Sequence, residues 1–275
     1  MDKKQLVERS IIKKYRKEIW NRFVKAVVEY DLIKEGDKIA VCLSGGKDSM
    51  LMAKAMQILQ KHGKYHFELV FLSMDPGYNE INRKVIEHNT ELLGVPLTVF
   101  SSPIYNVVSS MEQSPCYLCA RMRRGYLYSR AKELGCNKIA LGHHFDDVIE
   151  TTMMSMLYSA EIKTMMPKLK SKNFEGMELI RPMYMVRESD VLAWKRYNGL
   201  EFIKCACPLT QNCHTDEEGG SKRQVVKKLI RQLNMDHPGT DQNIFTSMHN
   251  VNLDTVIGYR SKGERHHFLE HYDEA

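Results

Sequence analysis

The hydrophobic positions of this chain change their period several times, and each change marks an element. From residue 3 to 34, Leu6, Ile11, Ile12, Ile19, Trp20, Phe23, Val24, Val27 and Val28 recur at mostly helical spacing. Lys3, Lys4, Arg9, Lys13, Lys14, Arg16, Lys17, Arg22 and Lys25 fill the opposite face, which reads as a solvated surface or as a contact for phosphates. The unbroken apolar run Ile39 to Leu43 is of strand length and stops at Ser44-Gly45-Gly46. Alternation follows: a helix over about 49–62, a strand at Leu69 to Leu72, a helix over about 79–93 closed by Gly94, and a strand at Leu97 to Phe100. After a loop to Pro115, a basic helix runs to Gly135, and a strand at Lys138 to Leu141 leads into a helix reaching about Tyr158. Residues 161–172 read as basic and irregular, Met177 to Arg181 as a fifth strand, and about 188–198 as a helix.

Strands and helices alternating at this spacing predict an α/β fold, a doubly wound, parallel, five-stranded sheet covered on both faces. An N-terminal helical segment (1–35) precedes the main domain (36–215), and a C-terminal helical extension (216–275) follows it. The extension opens with a basic helix carrying Lys222, Arg223, Lys227, Lys228 and Arg231, continues with an apolar-patterned piece near Ile244 to Ile257, and ends in a charged, frayed tail.

Composition narrows the class. No apolar run approaches the roughly 18 residues that a membrane helix needs, and the N-terminus has no secretory h-region, so a cytoplasmic protein without a membrane partner is expected. Seven cysteines without a secretory signal are expected as reduced thiols, which favours metal or sulfur chemistry over cross-linking. A net charge of +6 permits a nucleic-acid partner without requiring one.

The most informative stretch is Ser44-Gly45-Gly46-Lys47-Asp48-Ser49, where the first strand gives way to a helix. Glycines let the backbone approach an anion, and the first free N–H groups of a helix point at it. Ser44 and Ser49 add hydroxyls, and Lys47 adds a full positive charge. The spacing is too short for a Walker-type loop. Ser73 and Asp75, at the end of the second strand, share the sheet edge where ligands sit in doubly wound folds. Gly142, His143, His144, Asp146 and Asp147 follow another strand toward that edge, where carboxylates can hold Mg²⁺ or orient a nucleophile. Asp146 is expected to cap the following helix and Asp147 to act; His143 and His144 read as packing or hydrogen-bonding residues rather than metal ligands.

Cys116 and Cys119 form a C-x-x-C at a helix start, a pattern shared by zinc, redox dithiol and iron–sulfur sites. Cys205-Ala206-Cys207 is an irregular second pair, and Cys213 and His214 could complete a zinc site instead. Cys42 and Cys136 read as packed or surface residues.

Taken in order, SGGKDS at 44–49, PCYLCARMRRG at 115–125, LGHHFDDVIET at 141–151, IRPM at 180–183 and a late cysteine near 207 resemble the tRNA 2-thiocytidine synthetase-like family of PP-loop ATP pyrophosphatases. The resemblance covers roughly residues 20 to 210 and implies an adenine nucleotide α-hydrolase-like sheet, ATP, Mg²⁺ and a [4Fe-4S] cluster held by three cysteines. By position these are Cys116, Cys119 and Cys207, with Cys205 the alternate, because this chain has C-x-C where the family has C-x-x-C. ATP, bound by residues 44–49, Ser73, Asp75, Gly142 and His143, would adenylate a base carbonyl oxygen, and sulfur would displace AMP. Lys47 would offset pyrophosphate charge, and Asp147 and Asp48 would position Mg²⁺ or nucleotide. Arg121, Arg123, Arg124 and Lys163 are candidates to meet the tRNA.

The implied partners are tRNA, a sulfur donor (a cysteine desulfurase or sulfide), and a second copy in a homodimer. Two other readings compete: a persulfide-carrying enzyme without a cluster, and a zinc-stabilised module that binds RNA without modifying it.

Overall fold

The computed structural model describes residues 2–102, 104, 115–203, 221–270 and 272, with the backbone alone over 115–120. They form two compact units: residues 1–148 with 165–221, and residues 149–164 with 222–275.

The first unit is built around strand β1 (Lys38–Leu43), whose run of apolar residues reflects burial on both faces. It pairs in parallel with β2 (Glu68–Asp75) and with β4 (Lys138–Ala140). Outside these lie β3 (Leu97–Ser101), parallel to β2, and β6 (Glu178–Ile180), parallel to β4. A sixth strand, β5 (Lys168–Lys170), adds antiparallel to β6, giving the order β3-β2-β1-β4-β6-β5. The sequence pattern predicted five strands and an irregular 161–172. A three-residue edge strand flanked by lysines pairs on one side only and buries little, so no apolar run announces it.

Helix α3 (Lys47–His62) packs on the face that receives Ile39, Val41 and Leu43, and α5 (Pro115–Glu133) on the face that receives Ala40 and Cys42. The sheet is therefore covered on both sides, as the alternation implied. Helices α4 (Glu80–Leu93) and α7 (Glu188–Tyr197) complete the layer around α3.

The single helix expected over 3–34 is instead α1 (Lys3–Arg9), two π-helical turns (Ser10–Lys14 and Arg16–Trp20) and α2 (Asn21–Glu29). The core-facing residues Val7, Ile11, Tyr15, Ile19, Phe23 and Val27 repeat every fourth position, more than the 3.6 of an α-helix. The wide turns, marked by Tyr15 N–H to Ser10 O (2.9 Å) and Trp20 N–H to Tyr15 O (3.2 Å), absorb that excess and keep the row on the core.

Lys54 ties this segment to the sheet layer. Its side chain is fully buried, and Nζ donates to Glu8 Oε1 (2.8 Å), Gln57 Oε1 (3.0 Å) and Leu93 O (2.8 Å). Lys54→Met keeps the volume but strands these acceptors, an effect of about 2 kcal/mol. A fall in Tm of roughly 4–8 °C is expected, read by calorimetry.

In the second unit, the C-terminal part of α6 (Phe145–Ser159) is joined by α8 (Lys222–Asp236) and α9 (Thr240–Ser247). Where a helical tail was expected, an antiparallel hairpin forms, β7 (Gly258–Ser261) and β8 (Glu264–His267), followed by a 3-10 turn at Phe268–Glu270; the end expected to fray lies partly outside the described residues. Its turn uses Lys262 (φ 52°) and Gly263 (φ 91°), the two positive φ values of a type I′ turn without the usual Asn-Gly or Asp-Gly signature. Among the described residues no helix is long and apolar enough to cross a membrane.

Candidate active site at the carboxyl edge of the sheet

The site starts where β1 ends. Gly45 adopts φ +79°, and a Cβ there would fall 2.6 Å from Ile86 Cγ1 and 2.7 Å from Ile203 Cδ1, so only glycine fits. Gly46 is the residue before α3, and the first intrahelical bond is Met50 N–H to Gly46 O (3.2 Å). The N–H groups of Lys47, Asp48 and Ser49 precede it, at the positive end of a 16-residue helix. Ser49 Oγ locks the loop by donating to Gly46 O (3.0 Å) and accepting from Ser44 N–H (3.2 Å); Ser44 Oγ lies 3.3 Å from it.

Lys47 Nζ stands between two carboxylates, Asp48 Oδ2 at 2.9 Å and Glu188 Oε1 at 3.4 Å. Burial opposes its charge, but Asp48 and then Glu188 outweigh burial and raise the ammonium pKa above its ordinary value. Asp48 Oδ1 is buried without a hydrogen-bond partner among the described residues, 3.8 Å from His144 Nε2.

The end of β4 approaches closely. A Cβ on Gly142 would stand 3.1 Å from Ser49 N and 3.2 Å from the Asp48 carbonyl carbon, so this glycine lets the strand end meet the first turn of α3. The expected cap on α6 is corrected by the geometry. His144 and Asp147 form a reciprocal cap, with His144 N–H donating to Asp147 Oδ2 (3.0 Å) and Asp147 N–H to His144 Nδ1 (3.4 Å). Asp146 reaches across to α7 and accepts from Glu188 N–H at 2.7 Å. It caps the neighbouring helix rather than its own and so fixes the residue that holds Lys47. Sequence reasoning missed Glu188, because nothing along the chain signals a contact 141 positions from Lys47.

Arg181 was also overlooked as a site residue. It is 5% exposed, donates through Nε to His143 Nδ1 (3.4 Å) and bonds the Met166 carbonyl. Burial pushes its pKa down to about 10. His143 is thereby placed as a hydrogen-bonding residue.

At the end of β2, Asp75 closes the turn. Its Oδ1 accepts from Gly77 N–H (2.8 Å) and Tyr78 N–H (2.7 Å), and its Oδ2 from Arg83 (2.5 Å). Burial would raise this carboxyl, but the two amides and Arg83 outweigh it and hold it below 3.8. Its contribution to stability is complete above that value and is lost only as pH falls through the lower folded-state pKa. Ser73 Oγ and Tyr78 Oη lie buried without a hydrogen-bond partner of ordinary geometry among the described residues.

Cys116 and Cys119 are the second and fifth residues of α5. On the same helix Arg121 and Arg124 are exposed and Arg123 is half-buried. The Arg123 charge offsets part of the rise that burial causes at the Tyr78 phenol, and Arg124 does the same at Tyr128. Cys205, Cys207, Cys213 and His214 lie outside the described residues. Cys42 and Cys136 are free and buried; burial pushes the Cys42 thiol up to about 12. Lys163, in the second unit, pairs with Glu161. Among the described residues no group of three or more His, Cys, Asp or Glu is arranged to hold a metal ion.

A family model described as a PP-loop domain matches residues 14–211. The tRNA-cytidine(32) 2-sulfurtransferase of Citrifermentans bemidjiense is 35% identical over 237 residues, 85% of this chain and 90% of that protein. Proteins of the same name from Cellvibrio japonicus and Vibrio cholerae are 37% identical (90% of this chain, 80% of that protein) and 38% identical (86% and 75%). Among solved structures, the U34-tRNA thiolase NcsA from Methanococcus maripaludis with its [4Fe-4S] cluster matches with a TM-score of 0.66 at 24% identity, covering 88% of this chain and 80% of that one. That likeness establishes the fold.

Proposed function

This chain belongs to the tRNA-cytidine 2-sulfurtransferase family of PP-loop proteins, and from that premise we propose that it uses ATP to replace the C2 oxygen of a tRNA cytidine, at position 32, with sulfur. The observation that carries the reading is the loop over residues 44–49: a glycine-lined helix N-terminus with Lys47 poised between Asp48 and Glu188.

The chemistry follows from that arrangement. A carbonyl oxygen is a poor leaving group, so the base oxygen first attacks the α-phosphate and pyrophosphate departs. Gly45 and Gly46 admit the phosphates to the free N–H groups of α3. Lys47 exchanges its carboxylate partners for the pyrophosphate and stabilises the charge that develops there. Ser73, Asp75, Gly142 and His143 line the nucleotide side of the edge, and Asp147, fixed by its cap on His144, orients the reacting groups. A sulfur nucleophile then bonds to C2, and AMP leaves carrying the original oxygen.

Mg²⁺ suits Asp48 Oδ1, buried without a hydrogen-bond partner among the described residues, and would neutralise phosphate charge. Cys116, Cys119 and Cys207, or Cys205 in place of the last, would hold a [4Fe-4S] cluster, which when bound would supply a site for the sulfide. Arg121, Arg123 and Arg124 meet the tRNA near this end of α5, and Lys163 meets it elsewhere. A cysteine desulfurase or free sulfide supplies sulfur in the cytoplasm, to an enzyme working as a homodimer.

Incubation of anaerobically purified protein with ATP and unmodified tRNA, followed by nucleoside mass spectrometry, should yield ATP-dependent 2-thiocytidine. About four iron per chain is expected, lost in Cys207→Ala and kept in Cys205→Ala. Thiolation without iron would move the reading to a persulfide on these cysteines, and zinc with no thiolated nucleoside would sink it.

A further inference from the structure

The hairpin β7–β8 is not explained by its own contacts. A two-stranded hairpin is marginal in water, and seven of these eight strand positions are exposed. Arg260 and Arg265 stand directly opposite each other, a like-charge pair that weakens the hairpin further. They share a face with His267, and Lys262 sits in the turn. Among the described residues no carboxylate forms an ion pair with Arg260, Lys262 or Arg265. The other face is occupied by Tyr259 stacked on His266, ring centroids 4.7 Å apart. Glu161, the acid whose carboxyl feels Arg260, is already paired with Lys163, so the neighbourhood keeps its positive excess.

Positive charge that weakens its own support, with no ion-pair partner among the described residues and only Glu264 of opposite sign within the two strands, fits an external polyanion. We propose that the β7–β8 hairpin is a tRNA-docking surface that grips the phosphate backbone through Arg260, Arg265 and Lys262. The inference rests on the tRNA substrate of the proposed function and adds to it a surface of the second unit, apart from the basic helices that the sequence pointed to. Phosphate contacts of this kind position the substrate and carry no base readout, so the hairpin acts on affinity and leaves the choice of base unchanged.

The test uses the full chain and compares wild type with Arg260→Glu and Arg260→Glu/Arg265→Glu. The single change turns the like-charge pair into an opposite-charge pair, so a merely structural role predicts an unchanged or higher Tm and unchanged tRNA binding. Docking predicts weaker binding despite the steadier hairpin. For the double variant at about 0.1 M salt, the tRNA Kd should rise about tenfold or more. The log–log salt slope should become shallower by about 0.7–0.9 for each arginine, with KM for tRNA raised and kcat unchanged. If wild type thiolates tRNA while the double variant binds with the same Kd and slope, the docking surface alone is overturned. A changed sedimentation mass with unchanged tRNA affinity overturns it in favour of a second copy of the chain. If wild type neither binds nor thiolates tRNA, the proposed function falls as well.

Discussion

Lys47→Ala should lower the rate of tRNA thiolation at saturating ATP by about 10²–10³-fold, the effect of removing one preorganised donor from a charge-developing transition state. Helix α3 carries the ammonium, Asp48 Oδ2 holds it at 2.9 Å, and Glu188 Oε1 steadies it at 3.4 Å from another helix. Both carboxylates keep it charged, and the incoming pyrophosphate competes for it. Because the interaction strengthens as the leaving group gains charge, the loss should fall on kcat more than on the ATP KM. Lys47→Arg should recover only part of the rate, since a planar guanidinium cannot take the place of a compact point charge between two carboxylates. Pyrophosphate release measured beside 2-thiocytidine formation reads both variants; a rate within threefold of wild type for Lys47→Ala would remove Lys47 from the mechanism.

Gly45→Ala should be nearly as damaging, for a different reason. The left-handed backbone alone costs about 1–2 kcal/mol for a residue with a Cβ. Here that Cβ also meets the side chains of Ile86 and Ile203 at 2.6–2.9 Å, so the loop or those side chains have to shift. Gly36 is the control, since it has a similar φ of +77° with nothing within 4 Å of its would-be Cβ. Gly36→Ala should therefore lower Tm by roughly 2–8 °C and leave ATP affinity alone. Gly45→Ala should weaken ATP binding by at least about tenfold on top of a similar loss of stability. Isothermal titration with a non-hydrolysable ATP analogue, beside calorimetry, separates the two. Equal ATP affinity in the two variants would contradict the cradle.

Much of this architecture was legible because it is local. The run Ile39 to Leu43 followed by Ser-Gly-Gly marked a buried strand, a turn and a helix start, and the structure places all three there. What escaped was decided by tertiary partners. Strand β5 exists because β6 offers it an edge, and its Lys-Leu-Lys has no pattern of its own. The hairpin β7–β8 forms through a Lys-Gly turn between strands with no apolar alternation. The π turns of the N-terminal segment are implicit in a four-residue apolar repeat, a signal that was present and was read as ordinary helix. At the site, the glycines, Lys47 and the Asp146-Asp147 pair stood out as motifs, but the division of labour between those two aspartates did not. Only the position of α7 shows that Asp146 caps its first residue while Asp147 caps α6.

In the proposed reaction the base oxygen is adenylated before sulfur replaces it. Thiolating tRNA whose target cytidine carries ¹⁸O at C2, and weighing the AMP produced, follows that oxygen. AMP heavier by one ¹⁸O, in step with 2-thiocytidine formed, is expected. Unlabelled AMP alongside full thiolation would contradict it.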